Sequence, residues 1–304
     1  MQYIEEFLRT EDQHDIPLRL WRPKNVSQIL VIAHGMAEYC ERYSAMAEWL
    51  IEYNIAVVAL NHRGHGMDCH EGDLGFFAES HGWQKVLDDL DAVIRYTKSE
   101  MKGIPITLLG HSMGSFIAQS YIQQHTKAVD NLILMSTNGI KYGQIKVAKA
   151  IVGLLKLIQG PKARSKFLDK MSFGSFNSHF KPNRSDFDWL SRDNAHVDAY
   201  VNDPYCGFLC TNQMWWDLLG GFISIDIHKW PKQLPLYLLS GADDPLGERG
   251  KGITRLKNNI QSAGLNLIDF KLYPGARHEL VNETNALEVW EDIKNIVQQS
   301  AKVT

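Results

Sequence analysis

Pro105-Ile106-Thr107-Leu108-Leu109-Gly110-His111-Ser112-Met113-Gly114 is the stretch that decides how this chain is read. Its first five residues form a short, apolar, β-favouring run. Beyond the serine, Met113, Phe116, Ile117 and Tyr121 recur at helical spacing. A serine in the pattern G-x-S-x-G between two such elements fits a nucleophile elbow, a sharp strand-to-helix turn that exposes the hydroxyl. Glycine at positions 110 and 114 answers a steric need, because a Cβ would crowd so tight a turn. Chance alone produces the pattern in a chain with 23 glycines, but it rarely adds the strand before and the helix after.

A serine hydroxyl is a weak nucleophile at neutral pH and needs a base within hydrogen-bond reach, itself oriented by an acid. On such an elbow the partners follow in the order Ser, then Asp or Glu, then His. Leu234 to Ser240 reads as a buried strand and runs into Gly241-Ala242-Asp243-Asp244-Pro245. Leu267 to Tyr273 reads as a further strand and runs into Pro274-Gly275-Ala276-Arg277-His278-Glu279. Asp244 and His278 thus fall in loops at the carboxyl ends of strands, where open α/β sheets bind their ligands. Among 12 histidines, His278 is singled out by its place after a late strand and before the last helix. An oxyanion hole needs two backbone N–H donors. Met113, next to the serine, is one candidate. Met36, in the His34-Gly35-Met36 loop after the apolar strand Gln28 to Ala33, is the other.

These pieces together resemble a known group. His34-Gly35-Met36-Ala37-Glu38 with Arg42-Tyr43, His62-Arg63-Gly64-His65-Gly66, Gly110 to Gly114, Gly241 to Pro245 and Arg277-His278-Glu279 span nearly the whole chain in the order of an α/β-hydrolase. The chain is similar to the serine hydrolases that include monoacylglycerol lipases and bacterial lysophospholipases, a group often filed with S33-type serine aminopeptidases. The resemblance implies a catalytic triad of Ser112, Asp244 and His278, an oxyanion hole at Met36 and Met113, and no cofactor or metal. Its spacing, with the acid three residues after glycine and next to proline, selects Asp244 over Asp243. Asn61 departs from it, standing where the group has Asp before H-x-G-H-G. That position is structural in the group, so little catalytic consequence is expected.

The remaining sequence alternates strand and helix. Ile55 to Leu60 and Asn131 to Met135 read as buried strands, and the first residues as an edge strand. Helical periodicity runs over Glu41 to Tyr53, His81 to Tyr96 and Asn285 to Gln299, the last with Asn285 and Glu288 spaced as a capping box. The expected fold is α/β, an α/β-hydrolase with a mostly parallel central sheet and helices on both faces. Its catalytic domain comprises residues 1–138 and 231–304. Between them, residues 139–230 break the alternation and read as a helical cap. This insertion holds Phe167, Phe173, Phe176, Phe180, Phe187, Phe208, Phe222, Trp189, Trp215, Trp216 and Trp230. Some of these rings build the cap's own core and others line an apolar slot for an acyl chain.

Composition sets the outer bounds. The chain has 304 residues, 44% hydrophobic and 22% charged, with a net charge of −3. These values are ordinary for a globular enzyme and give no reason to expect nucleic acid. No apolar run approaches a membrane span, and the N-terminus lacks the pattern of a signal peptide. The 4 cysteines form no C-x-x-C motif, so reduced thiols and a cytoplasmic location are expected. His62, His65 and His70 match no standard zinc spacing. Gly250-Lys251-Gly252 is no P-loop, and Gly64-His65-Gly66 is no dinucleotide fingerprint.

The start of the insertion is basic. Between residues 141 and 170, Lys141, Lys146, Lys149, Lys156, Lys162, Arg164, Lys166 and Lys170 face only Asp169. Ile145, Ala148, Val152, Leu155 and Ile158 lie at helical spacing within it, widened by Val147, Ile151 and Leu154. The simpler expectation is a cap helix packed on the catalytic domain with solvated lysines. The other is peripheral contact with an anionic lipid surface.

The function expected is a serine carboxylic ester hydrolase acting on monoacyl lipid esters through an acyl-enzyme, its partner a small lipid or ester substrate. An aminopeptidase on the same fold is the nearest alternative, with Asp186, Asp188, Asp193 and Asp198 available to hold a substrate amine. A non-catalytic binding module is the other, and an intact triad argues against it. Headgroup, acyl length and oligomeric state are left open.

Overall fold

Residues of the central strands alternate between two hydrophobic cores, as a pleated sheet covered on both sides requires. Ile29 and Val31 face one core while Leu30 and Ile32 face the other, and Ala56 and Val58 oppose Ile55 and Val57 in the same way. The structure is a computed structural model and describes residues 3–299. Its strands are β1 (Ile4–Arg9), β2 (Asp15–Trp21), β3 (Gln28–Ala33), β4 (Ile55–Leu60), β5 (Ile106–His111), β6 (Asn131–Met135), β7 (Leu236–Gly241) and β8 (Leu267–Tyr273). They form one sheet in the order β1-β2-β4-β3-β5-β6-β7-β8. Only β2 runs against its neighbours, and every pair from β4 to β8 is parallel. The exposed side chains of Ile4 and Phe7 mark β1 as an edge.

The helices are α1 (Ser44–Ile51), α2 (Gly82–Glu100), α3 (Met113–Gln124), α4 (Tyr142–Gln159), α5 (Lys166–Ser172), α6 (Asn194–Asn202), α7 (Asn212–Ser224), α8 (Lys251–Ser262) and α9 (Ala286–Gln299). Helices α1 and α9 cover one face of the sheet through Met46, Leu50, Val289 and Ile293. Helices α2, α3 and α8 cover the other through Leu87, Leu90, Ile117, Tyr121, Ile253 and Leu256. Helices α4 to α7 all fall between β6 and β7. Helix α7 ties this segment down. Its Gly221 lies so close to Trp83 that a Cβ would sit 2.1 Å from the indole, and Phe222 packs on Phe116 at 4.2 Å between ring centroids.

Three expectations need correction. Residues 41–53 do not form one helix, because a 3-10 turn over Cys40–Tyr43 precedes α1 and sends the chain round at Tyr43. The capping box at Asn285 is not made. The Asn285 amide donates to the Glu288 side chain at 2.9 Å and its oxygen accepts from Arg192 at 2.6 Å, so the two side chains bond to each other and to Arg192 instead of to the backbone. In α4, Val152 is buried and Ile145, Ala148 and Leu155 pack inward, but Ile158 is 69% exposed. The end of α4 is held to the start of α7 by Asn212, whose amide donates to the Gly160 oxygen at 3.0 Å, while Ile158 faces away from that contact.

The basic charge of this segment is also partly answered from elsewhere. Lys141 pairs with Glu248 at 2.8 Å and Lys162 with Glu79 at 3.0 Å. Lys149 and Lys156 lie over the Trp216 ring at 4.3 and 5.4 Å. No helix among the described residues is long and apolar enough to cross a membrane. Cys40, Cys69, Cys206 and Cys210 are free thiols.

Candidate active site

Strand register places the site. Ala33 of β3 pairs with Gly110 of β5, so the loop after β3 leaves the sheet beside Ser112. Gly241 of β7 pairs with Tyr273 of β8, so the two following loops leave it together. Ser112 itself has φ 51 and ψ −117, a backbone geometry that L residues rarely adopt. The glycines around it are sterically forced. A Cβ on Gly114 would sit 2.0 Å from the Ala33 oxygen, and one on Gly110 would sit 2.5 Å from the Gly114 oxygen.

His278 Nδ1 lies 3.0 Å from Asp244 Oδ1, and both side chains are buried. The same oxygen accepts the Leu246 N–H at 2.9 Å, which fixes the carboxylate. Asp243 points elsewhere, with its side chain 42% exposed and 3.6 Å from Arg249. The structure therefore brings Asp244 and not Asp243 to His278. Ser112 and His278 line one cavity of about 420 Å³.

The loop after β3 passes over the elbow. A Cβ on Gly35 would lie 3.2 Å from the Ser112 Cβ. Among the described residues, the backbone N–H groups of Met36 and Met113 donate to no protein acceptor. Two free donors beside a strained serine are what a developing oxyanion requires. Helix α6 and the loop after it steady this segment, since Tyr200 Oη and the Gly207 N–H both donate to the Ala37 oxygen at 3.0 Å.

Sequence reasoning assigned no role to a buried polar web that joins the loops. Glu38 Oε1 accepts from the Gly35 N–H and from Tyr43 Oη at 3.0 Å, and lies 2.8 Å from His111 Nδ1. Arg42 forks onto Glu279, one bond being 2.7 Å. The His278 carbonyl accepts from Ser136 Oγ at 2.6 Å, with His111 Nε2 at 3.4 Å. Burial opposes ionisation of Glu38, but His111 and Arg42 hold its carboxyl well below the usual range. Burial likewise disfavours a charged His111, yet Glu38 raises its pKa above the ordinary value. The available signal was charge inside glycine-flanked motifs, at Glu38, Arg42 and Glu279, where solvent exposure would be the default.

A separate group of histidines carries no site. His34, His62 and His65 are buried ring against ring, His34 and His62 at 4.5 Å and His34 and His65 at 5.3 Å. Burial drives all three toward the neutral form, His34 to about 4 and His65 to about 3. Among the described residues no group of His, Cys, Asp and Glu has the geometry to hold a metal. Asn61 is structural here, its side-chain oxygen accepting the Cys40 N–H at 2.8 Å.

A second cavity, also about 420 Å³ and predominantly apolar, meets the first at Met36, Ser112 and Phe173. Phe116, Ile145, Phe176, Trp215, Leu218 and Phe222 contribute its walls, whereas Phe187, Trp189 and Phe208 line the first. Phe173 stacks on Trp189 and Phe176 meets both rings edge-on, so these rings both pack the segment and shape the cavities. Phe167 does neither and is largely exposed. Of the four acidic residues weighed for holding an amine, only Asp186 lines a cavity. Asp188 accepts bonds from Arg184 and Ser185, Asp193 caps α6, and Asp198 pairs with Arg184.

Comparison with known proteins agrees with this architecture. A monoglyceride lipase of Rattus norvegicus is 28% identical over 271 residues, covering 87% of this chain and 80% of that protein. A monoacylglycerol lipase of Mycolicibacterium smegmatis is 27% identical, covering 90% and 89%. A thermostable carboxyl esterase of Bacillus coagulans, solved with glycerol, superposes with a TM-score of 0.89 at 23% identity, covering 98% of this chain and 99% of that one. The fold is that of the α/β-hydrolases. The family described as serine aminopeptidase, S33, matches residues 24–285, and the chain belongs to that family.

Proposed function

We propose that the protein is a serine hydrolase that cleaves carboxylic esters carrying one acyl chain, as the names of its lipase relatives suggest. The observation that carries this reading is the Asp244–His278 pair at 3.0 Å, opening on the cavity that holds the strained Ser112. Ser112 Oγ attacks the ester carbonyl as His278 Nε2 takes its proton. Asp244 keeps the imidazole in the required tautomer and stabilises its charged form. The N–H groups of Met36 and Met113 hold the oxyanion. The C–O bond to the alcohol breaks as His278 returns the proton to it, leaving an acyl-Ser112 ester. Water, deprotonated by His278, then releases the carboxylic acid and restores the serine.

The two cavities divide the substrate. His278 lines the first cavity and not the second, so the alcohol that takes its proton leaves through the first. The acyl chain occupies the apolar second cavity. We read residues 139–230 as the cap that encloses both. Its outer face carries exposed Val147, Leu154, Leu157, Ile158, Phe167 and Met171, with Leu157 82% exposed, and Met171 continues into the wall of the acyl cavity. An apolar surface joined to an apolar cavity suits contact with lipid aggregates. Exchange of Leu157 and Ile158 for Ser should weaken co-sedimentation with vesicles. Unaltered binding would remove this part of the reading.

A fluorophosphonate probe should label wild type at Ser112 and leave Ser112→Ala unlabelled. A panel of monoacylglycerols, lysophospholipids, short p-nitrophenyl esters and aminoacyl arylamides tests the chemistry. Hydrolysis of esters that persists in Ser112→Ala, or turnover of arylamides alone, would overturn the assignment.

A further inference from the structure

Resting on that ester-hydrolase reading, we propose that the leaving alcohol bears a positive charge, and that the cavity beside His278 selects an ammonium group on it. The first observation is a pair of carboxylates. Asp169 on α5, partly buried, and Asp186 in the loop before α6, exposed to solvent, line this cavity, and neither side chain makes a hydrogen bond or ion pair among the described residues. The other carboxylates on its wall, Glu38 and Glu279, are already engaged by Arg42. Among the described residues, Lys170 is the only lysine or arginine lining the cavity, and it is exposed to solvent.

The second observation is the wall itself. Phe173, Phe187, Trp189 and Phe208 line the same space, and aromatic rings attract an ammonium through their quadrupoles. A phosphate-bearing alcohol would meet like charge here. A neutral polyol would leave the partly buried Asp169 carboxylate without an opposite charge. An ammonium meets both the aromatic surface and the acids. The state of Asp169 agrees, since burial raises its carboxyl pKa and nothing in the protein opposes that. An ordinary hydrolysis then yields the free acid and a cationic alcohol.

The test compares two esters of one shape. Choline octanoate and 3,3-dimethylbutyl octanoate differ by a nitrogen for a carbon, so the ratio of their kcat/KM values reads the charge alone. At low salt the ratio in wild type should favour choline by about tenfold or more, and it should shrink as salt is added. In the double variant Asp169→Asn, Asp186→Asn the ratio should fall toward one. Asp198→Asn, on the same segment but paired to Arg184 outside the cavity, should keep it. A wild-type ratio of one or less, or a ratio unchanged in the double variant, overturns the proposal while ester hydrolysis stands. If neither ester is cleaved and Ser112 resists the fluorophosphonate, the ester-hydrolase reading falls and this one with it.

Discussion

Acidifying the protein from about pH 7.5 to about pH 5 should cost it much of its folding stability, through the buried histidines behind the loop that carries Met36. Unfolded, these rings take up protons near the ordinary value of 6.5; folded, His34 does so only near 4 and His65 only near 3. Their pKa values are depressed on folding, so the unfolded state binds more protons between these limits. Stability is therefore full above about 6.5 and is lost as pH falls toward about 4. At about pH 5 each ring contributes a loss of about 2 kcal/mol, and the two together about 4 kcal/mol, against a total of about 5–15 kcal/mol for an ordinary domain. His62, lowered further by burial and by both neighbours, adds in the same direction. His111 acts oppositely, since its pKa is raised by Glu38 in spite of burial and its protonation favours the folded state. Urea denaturation at the two pH values measures the difference. In His65→Phe, whose ring would pack against Phe77 and Phe208 as the imidazole does, the pH-dependent loss should shrink by about 2 kcal/mol, whatever happens to absolute stability. A wild-type loss below about 1 kcal/mol, or a variant with the full wild-type slope, would refute the reasoning.

Three further outcomes are expected. Asp244→Asn should lower kcat by several orders of magnitude while Asp243→Asn lowers it at most severalfold, because only Asp244 reaches His278; equal losses in steady-state ester assays would count against the assignment. Gly114→Ala should destabilise by about 3 kcal/mol or more or abolish soluble expression, since its Cβ would meet the Ala33 oxygen at 2.0 Å; a thermal midpoint near wild type would contradict the geometry. Asn61→Asp should lower the thermal midpoint, because the Asn61 amide stands 3.5 Å from the Asp68 carboxylate, and Asp68→Asn should restore part of the loss; no recovery in the double variant would exclude charge repulsion as the cause.

The strands of the parallel sheet were legible almost to the residue. Gln28–Ala33, Ile55–Leu60 and Asn131–Met135 coincide with the buried strands β3, β4 and β6, and Leu267–Tyr273 with the partly exposed edge strand β8, because turn residues bound each β-favouring run. The strand ending at the elbow and the one before Asp244 extend to His111 and Gly241, two residues past their apolar runs, because backbone pairing continues where hydrophobicity stops. The loops that carry Ser112, Asp244 and His278 were legible from order along the chain. The Arg42–Glu279 fork was not, since its partners lie 237 residues apart and only the meeting of β3 and β8 loops joins them. The capping box failed for a related reason, as local spacing says nothing of Arg192 arriving from another segment. The division of the aromatic residues between two cavities likewise depends on how four helices pack, which periodicity alone does not specify.

The junction of the two cavities at Ser112 governs the order of events in a catalytic cycle. On the proposed division of the substrate, the attached acyl chain stays in the apolar chamber while the alcohol departs from the other, so the vacated space admits the next nucleophile without disturbing the chain. Such a layout dictates ping-pong kinetics. It also means that whatever small hydroxyl compound enters the vacated chamber competes with water for the acyl group. Esters added together with a second alcohol should therefore yield transesterified product as well as free acid, in a proportion set by the walls of that chamber and not by the chain.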